Sequence, residues 1–201
     1  ATTVNAKRYI DFAAANGFAP PPQSATYVAN FVNRYRAALK ARVTRLDTLA
    51  KNLIAERIAA RQRAKSSSDR GDQVKGAHTP VMTIWRTDAD LRCWDLSLDP
   101  SDRRYGSVWG RDPFASNYGA VGFARFCAPE AWLSTWSGLT SRAAMDETLK
   151  SVEQPALMIE YTGDNTIFPS DLDSLFAAIR TGDKRRLKIR GDHHGRPLGK
   201  G

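Results

Sequence analysis

The sequence predicts a mixed α/β chain, a mostly helical region followed by the closing β-α-β unit of a parallel sheet. Three observations carry this. Apolar residues from Val28 to Leu53 (Val28, Phe31, Tyr35, Leu39, Val43, Leu46, Leu49 and Leu53) recur every three or four positions, which is helical spacing. A short apolar run, Ala156–Tyr161, and the later stretch RRLKIRG read as strands. Between them Leu172, Leu175, Phe176 and Ile179 mark one side of an amphipathic helix. A strand, a helix and a strand within about forty residues form the unit of a parallel sheet.

Residues 1–26 are an entry segment and linker. Its NGFAPPP stretch stops any helix and holds extended chain, and Ser24 or Thr26 is placed to cap the next element. Residues 27–151 form the mostly helical region. Its long helix, from about 27 to 64, carries Arg34, Arg36, Lys40, Arg42, Arg45, Lys51, Arg57, Arg61, Arg63 and Lys65 against few acids. KSSSDRGDQVKG then reads as a polar linker. VMTIWR and CWDLSL read as short strands, DPSDRRYG as a turn cluster and GRDPFASNYG as loop. VGFARFC is a short apolar run. Pro129 and Glu130 open a helix that Gly138 interrupts, with Thr140 or Ser141 starting another. Residues 152–201 hold the β-α-β portion, where Ser170 is placed to cap the connecting helix.

Composition bounds the function. The chain has 201 residues, 42% hydrophobic and 25% charged, with a formal net charge of +9. This is globular composition with an excess of basic groups that admits acidic partners without identifying one. Cys93 and Cys127 form no CxxC motif and read as buried thiols of a reducing compartment. No apolar stretch is long enough to span a membrane, and no signal peptide is visible, so a cytoplasmic location is expected. The chain opens on Ala1 rather than Met, which suggests processing or a piece of something longer. No cofactor is expected. Two of the three histidines are adjacent, the cysteines are scattered, and neither GxxxxGK[ST] nor GxGxxG occurs. Asp164, Asp171 and Asp173 are oxygen donors for a hard cation, but acids at a helix start more often cap it.

Each C-terminal strand is followed by a chemically loaded turn. The first run ends in Thr-Gly-Asp and the second in Gly-Asp-His. In open parallel sheets functional groups sit past the carboxyl ends of the strands, and a right-handed crossover brings neighbouring strands together. Asp164 and His193 are therefore a candidate acid–base pair, since a carboxylate fixes the tautomer of an imidazole and stabilises its charged form.

The stretch ALMIEYTGDNTIFPSDLDSLFAAI and the later KIRGDHH resemble the closing strand–helix–strand of the α/β-hydrolase superfamily over roughly residues 152–195. NGFAPPP, the basic helix, DLSLDPSDRRYG and FCAPEAWLSTWSGL are similar to an inserted cap region in a group of bacterial proteins of that fold. The resemblance implies a partial α/β-hydrolase fold, with 27–151 as cap (lid). It makes Asp164 the triad acid and His193 the base, and gives His194 no catalytic role. Trp132 and Trp136, four apart on one helix face, are candidates for lining an apolar acyl pocket, against the plainer reading of cap core.

The nucleophile is not found. WSGLTSRA is no G-x-S-x-G elbow, Ser107 in YGSVWG lacks the second glycine, and neither cysteine has a glycine frame. The expectation is the C-terminal part of a serine-type, esterase-like hydrolase. A small acyl substrate and a missing nucleophile-bearing N-terminal segment are its partners, and the chain alone is inactive. The alternative is a non-catalytic interaction or nucleic-acid-binding remnant using the basic helix 34–65; no helix-turn-helix, zinc spacing or aromatic RNA motif supports nucleic acid.

Overall fold

The computed structural model describes residues 26–84, 90–119 and 125–199. The NGFAPPP segment and Ser24 lie outside the described residues, as do Trp85 and Arg86 of VMTIWR and Val121–Ala124 of VGFARFC. The chain is mixed α/β, and it divides into two interleaved units. One comprises Ala1–Asn33, Asp88–Gly119 and Ala144–Gly201; the other comprises Arg34–Thr87 and Ala120–Ala143. Residues 88–119 and 144–151 thus belong to the unit that holds the β-α-β element. No helix among the described residues is long and apolar enough to cross a membrane.

Helix α1, Ala29–Ser66, forms where the apolar spacing predicts it, two residues later at each end. Its residues from Arg34 onward belong to the second unit. There the core gathers Ala50, Met82, Ile84 and Trp132, with Val43, Leu46, Leu53, Cys127 and Leu133 packed around it. The expected polar linker is in fact partly helical. Asp69 accepts the amide of Asp72 and caps α2, Arg70–Ala77. Gly76 lets this helix approach α1, because a Cβ there would meet the Ala64 methyl at 2.6 Å.

Strands β1, Met82–Thr83, and β2, Phe126–Cys127, pair antiparallel. CWDLSL is not a strand; Cys93 ends a 3-10 turn, Leu91–Cys93, capped by Asp90, and the rest continues in turns. The segment expected as loop contains helix α3, Pro113–Tyr118. Helix α4, Pro129–Ala131, widens into a π turn at Trp132–Trp136, where the Ser137 amide donates to the Trp132 carbonyl at 2.8 Å. Turns at 138–140 interrupt there, as Gly138 suggests, but the next helix, α5, Met145–Thr148, begins later than Thr140 or Ser141.

The first unit is organised around β3, Ala156–Tyr161, helix α6, Pro169–Ala178, and β4, Lys184–Ile189. The strands pair in parallel, Ala156 opposite Lys184 and Tyr161 opposite Ile189. Pro169 opens α6, and the Asp171 carboxylate, not Ser170, accepts the Phe168 amide at 3.2 Å. Ser170 instead donates its hydroxyl to Asp99 at 2.6 Å. The sheet face that carries Glu160 and Arg186 is partly covered; there Arg186 donates from Nε to Glu160 at 2.8 Å. The opposite face leaves Leu157, Ile159, Leu187 and Ile189 between 43% and 58% exposed.

Candidate functional site

The backbone builds the site from two turns at one end of the parallel pair. The ladder continues past β3, with the Thr162 amide donating to the Ile189 carbonyl and the Gly163 amide to the Gly191 carbonyl, each at 2.9 Å. Gly163 is required for this approach, since a Cβ would stand 2.9 Å from the Gly191 carbonyl oxygen and 2.7 Å from Leu198. Chain reversal after β4 is equally local. Gly191 and Pro197 bridge, the Asp192 amide donates to the Arg196 carbonyl, and Gly195 takes φ 73° between them. His193 and His194 sit in this hairpin.

Asp164 is 9% exposed. Its Oδ1 accepts the amides of Thr166 at 2.7 Å and Ile167 at 3.3 Å, so the turn itself fixes the carboxylate. His193 Nδ1 lies 3.0 Å from Oδ2 and 3.1 Å from Oδ1 of that carboxylate. The His193 side chain is 34% exposed against 11% for Asp164, so the acid sits beneath and the ring reaches outward. His194 packs edge-on to His193 with ring centroids 5.2 Å apart, and among the described residues no hydrogen bond joins its side chain to Asp164.

A cleft of about 340 Å³ opens over the ring, lined among others by Arg104, Ser107, Asn165, His193, His194 and Arg196. Loop 99–107 is pinned to the turn after β3. The Asp102 amide donates to the Thr162 carbonyl at 2.9 Å, the Thr162 hydroxyl to Asp102 at 2.6 Å, and Asn165 Nδ2 to the Gly106 carbonyl at 3.2 Å. Beneath the loop, Phe168 is 2% exposed under the Arg92 guanidinium, 4.0 Å from the ring centroid.

The structure brings Asp164 and His193 together. It does not bring the two tryptophans into one environment. Trp132 is buried in the second unit with Nε1 donating to Asp47 at 2.8 Å, whereas Trp136 is 41% exposed. The π turn and this buried hydrogen bond separate their surroundings. Asp171 and Asp173 are engaged with Phe168 and Arg186, and among the described residues no group of three His, Cys, Asp or Glu side chains is arranged to hold a metal ion.

Ser107 lines the cleft, a placement its sequence context did not reveal. Its hydroxyl is paired with Ser116 Oγ at 2.8 Å and accepts the Trp109 amide at 3.1 Å, and no hydrogen bond joins it to His193 among the described residues. Arg104, Asn165 and Arg196 were also missed. The sequence marks DPSDRRYG only as a turn cluster; that Gly106 takes φ 120° and that Arg104 reaches the cleft are visible in the structure alone.

No family model, curated protein or solved structure matches this chain.

Proposed function

We propose that this chain contributes the acid and the base of a serine-type hydrolase of the α/β-hydrolase kind, acting on an ester or similar acyl bond. The observation that carries the reading is the contact between His193 Nδ1 and both oxygens of a carboxylate already fixed by two backbone amides. A carboxylate facing Nδ1 places the proton there and leaves Nε2 to accept one. In the reaction Nε2 takes the proton of a serine hydroxyl as its oxygen bonds to the acyl carbon, then delivers it to the leaving alcohol as the ester C–O bond breaks. Water repeats the sequence to release the acid.

The nucleophile belongs, in this reading, to polypeptide beyond these residues that completes the sheet. Support comes from the sheet itself. Parallel sheets occur with both faces covered, yet among the described residues β3 and β4 stand as a pair with one face, carrying Leu157, Ile159, Leu187 and Ile189, open to solvent. Helices and further strands are what such a face normally meets.

The test is to express the whole reading frame that contains these codons and assay p-nitrophenyl acetate hydrolysis with fluorophosphonate labelling. Labelling of a serine is expected, with turnover falling by about three orders of magnitude or more in His193→Ala. A reading frame with no labelled serine, or a His193→Ala variant with near-normal turnover, removes the proposal.

A second reading rests on α1, where Arg36, Lys40, Arg45, Lys51, Arg61, Arg63 and Lys65 are exposed along one helix. Such a surface attracts polyanions. Binding of a nucleic-acid duplex that weakens steeply between low and physiological salt, and is lost when four of these residues become Gln, would favour it.

A further inference from the structure

We propose that the cleft over His193 takes an acyl substrate that carries a single carboxylate, held by Arg104. The inference rests on the hydrolase reading and gives it a substrate class.

Charge accounting within the cleft leads there. Two arginines, Arg104 and Arg196, and one acid, Asp192, line it together with the two histidines. Asp192 is consumed locally. Its Oδ1 accepts the amides of His194 at 2.9 Å and Arg196 at 3.0 Å, and its Oδ2 lies 3.8 Å from Arg196 Nε. The Arg196 amide, with Arg196 and His194 facing it, holds the Asp192 carboxyl below its ordinary value, so it stays charged and balances Arg196. Among the described residues no carboxylate pairs with Arg104. An uncompensated guanidinium therefore faces the same space as the imidazole.

A guanidinium presents a planar fork of donors that matches a carboxylate. A single such cation suits a single negative charge. A phosphate would ask for more, and the backbone amides of His194 and Arg196 are already given to Asp192. The cleft's volume, about 340 Å³, suits a small molecule of a few carbons rather than a long acyl chain. A short dicarboxylic acid monoester offers both groups the cleft can read, an acyl carbon for the His193 side and a carboxylate for Arg104.

Monomethyl succinate and dimethyl succinate are the probes, titrated into the chain while the imidazole Cε1 protons are followed by NMR. The three histidines give three signals, and His78, which belongs to the second unit, serves as the internal reference. The monoester is expected to shift His193 and His194 and to bind about tenfold more tightly than the diester. Arg104→Gln is expected to abolish that preference, with Arg104→Lys recovering part of it. Arg104 is exposed, so neither variant threatens the fold. Raising salt from low to physiological strength should weaken the monoester alone. Equal binding of the two probes, no shift with either, or an Arg104→Gln variant within twofold of the parent overturns the assignment. The hydrolase reading fails separately, through the labelling experiment, whatever the succinates do.

Discussion

His193 Nδ1 sits between both oxygens of the Asp164 carboxylate, 3.1 Å from Oδ1 and 3.0 Å from Oδ2. Oδ1 is shared with the amides of Thr166 and Ile167, so the acid cannot swing away without breaking its own turn. The ring is positioned by an acid that is itself positioned by backbone.

One consequence is a single tautomer. With the carboxylate present, neutral His193 should carry its proton on Nδ1, leaving Nε2 bare. Asp164→Asn turns an acceptor-only group into one that also donates, and a carboxamide nitrogen facing Nδ1 favours the opposite tautomer. Long-range imidazole ¹H–¹⁵N spectra should show one Nδ1-protonated form in the parent and a mixed or Nε2-protonated form in the variant. Identical ¹⁵N patterns would mean that Asp164 does not orient the ring.

Asp99 makes acid stability testable. It has φ 62° and accepts the Ser170 hydroxyl and amide and the Arg92 guanidinium. Partial burial pulls its carboxyl upward, but the Ser170 hydrogen bonds and Arg92 outweigh this and hold it below its ordinary value. A carboxylate depressed in the folded state stabilises above the unfolded pKa, about 4, and that contribution is lost as pH falls through the folded value. Asp99→Asn retains a residue tolerant of positive φ yet removes the charge. Its unfolding midpoint should therefore lie below the parent's at pH 7 and converge with it toward pH 2. A gap of constant size across that range would contradict the linkage.

How much of this was legible in the sequence depended on whether the signal was local. The spans of β3 and α1 follow from apolar spacing, and the two loaded turns announced Asp164 and His193. α2 was hidden because Arg70–Ala77 is polar and glycine-bearing; its stability lies in the Asp69 cap and in close packing on α1, neither visible as periodicity. CWDLSL alternates like a strand, but Asp95 accepts the Tyr27 amide at 2.8 Å and the Ser97 hydroxyl, which bends it into turns. The cleft was illegible for a similar reason. Arg104 shares a cleft with His193 only because Asp102 and Asn165 fasten two segments sixty residues apart in sequence.

The thiols should be inert in the folded protein. Cys93 is 4% exposed, and burial, with Asp90 adding to it, pushes its thiol up to about 12. Burial also raises Cys127. Thiolate is the reacting species, so at pH 8 iodoacetamide should modify Cys93 far more slowly than a free cysteine and reach both thiols rapidly only in denaturant. Fast native labelling of Cys93, read by peptide mass, would show that the loop over it opens readily.

Arg103 should be the costliest charged side chain to change in the first unit, because it is only 3% exposed and serves as a hub for loop oxygens. Its Nε and Nη2 donate to the Arg92 carbonyl at 3.1 and 3.0 Å, Nη2 also to Leu98 at 2.7 Å, and Nη1 to the Ser101 hydroxyl at 3.0 Å and to the Asp99 carbonyl. Burial lowers the pKa of this guanidinium, yet no lysine ammonium can satisfy so many oxygens from one point. Arg103→Lys keeps the charge and strands several half-buried acceptors, at a cost of about 3 kcal/mol. The loop it holds also carries Arg104 and Ser107 to the cleft. A urea melt should therefore shift to a lower midpoint, and the monoester's preference over the diester should shrink in the same variant while folded. If the midpoint stays within error of the parent, the carbonyls find other donors and the loop does not depend on Arg103.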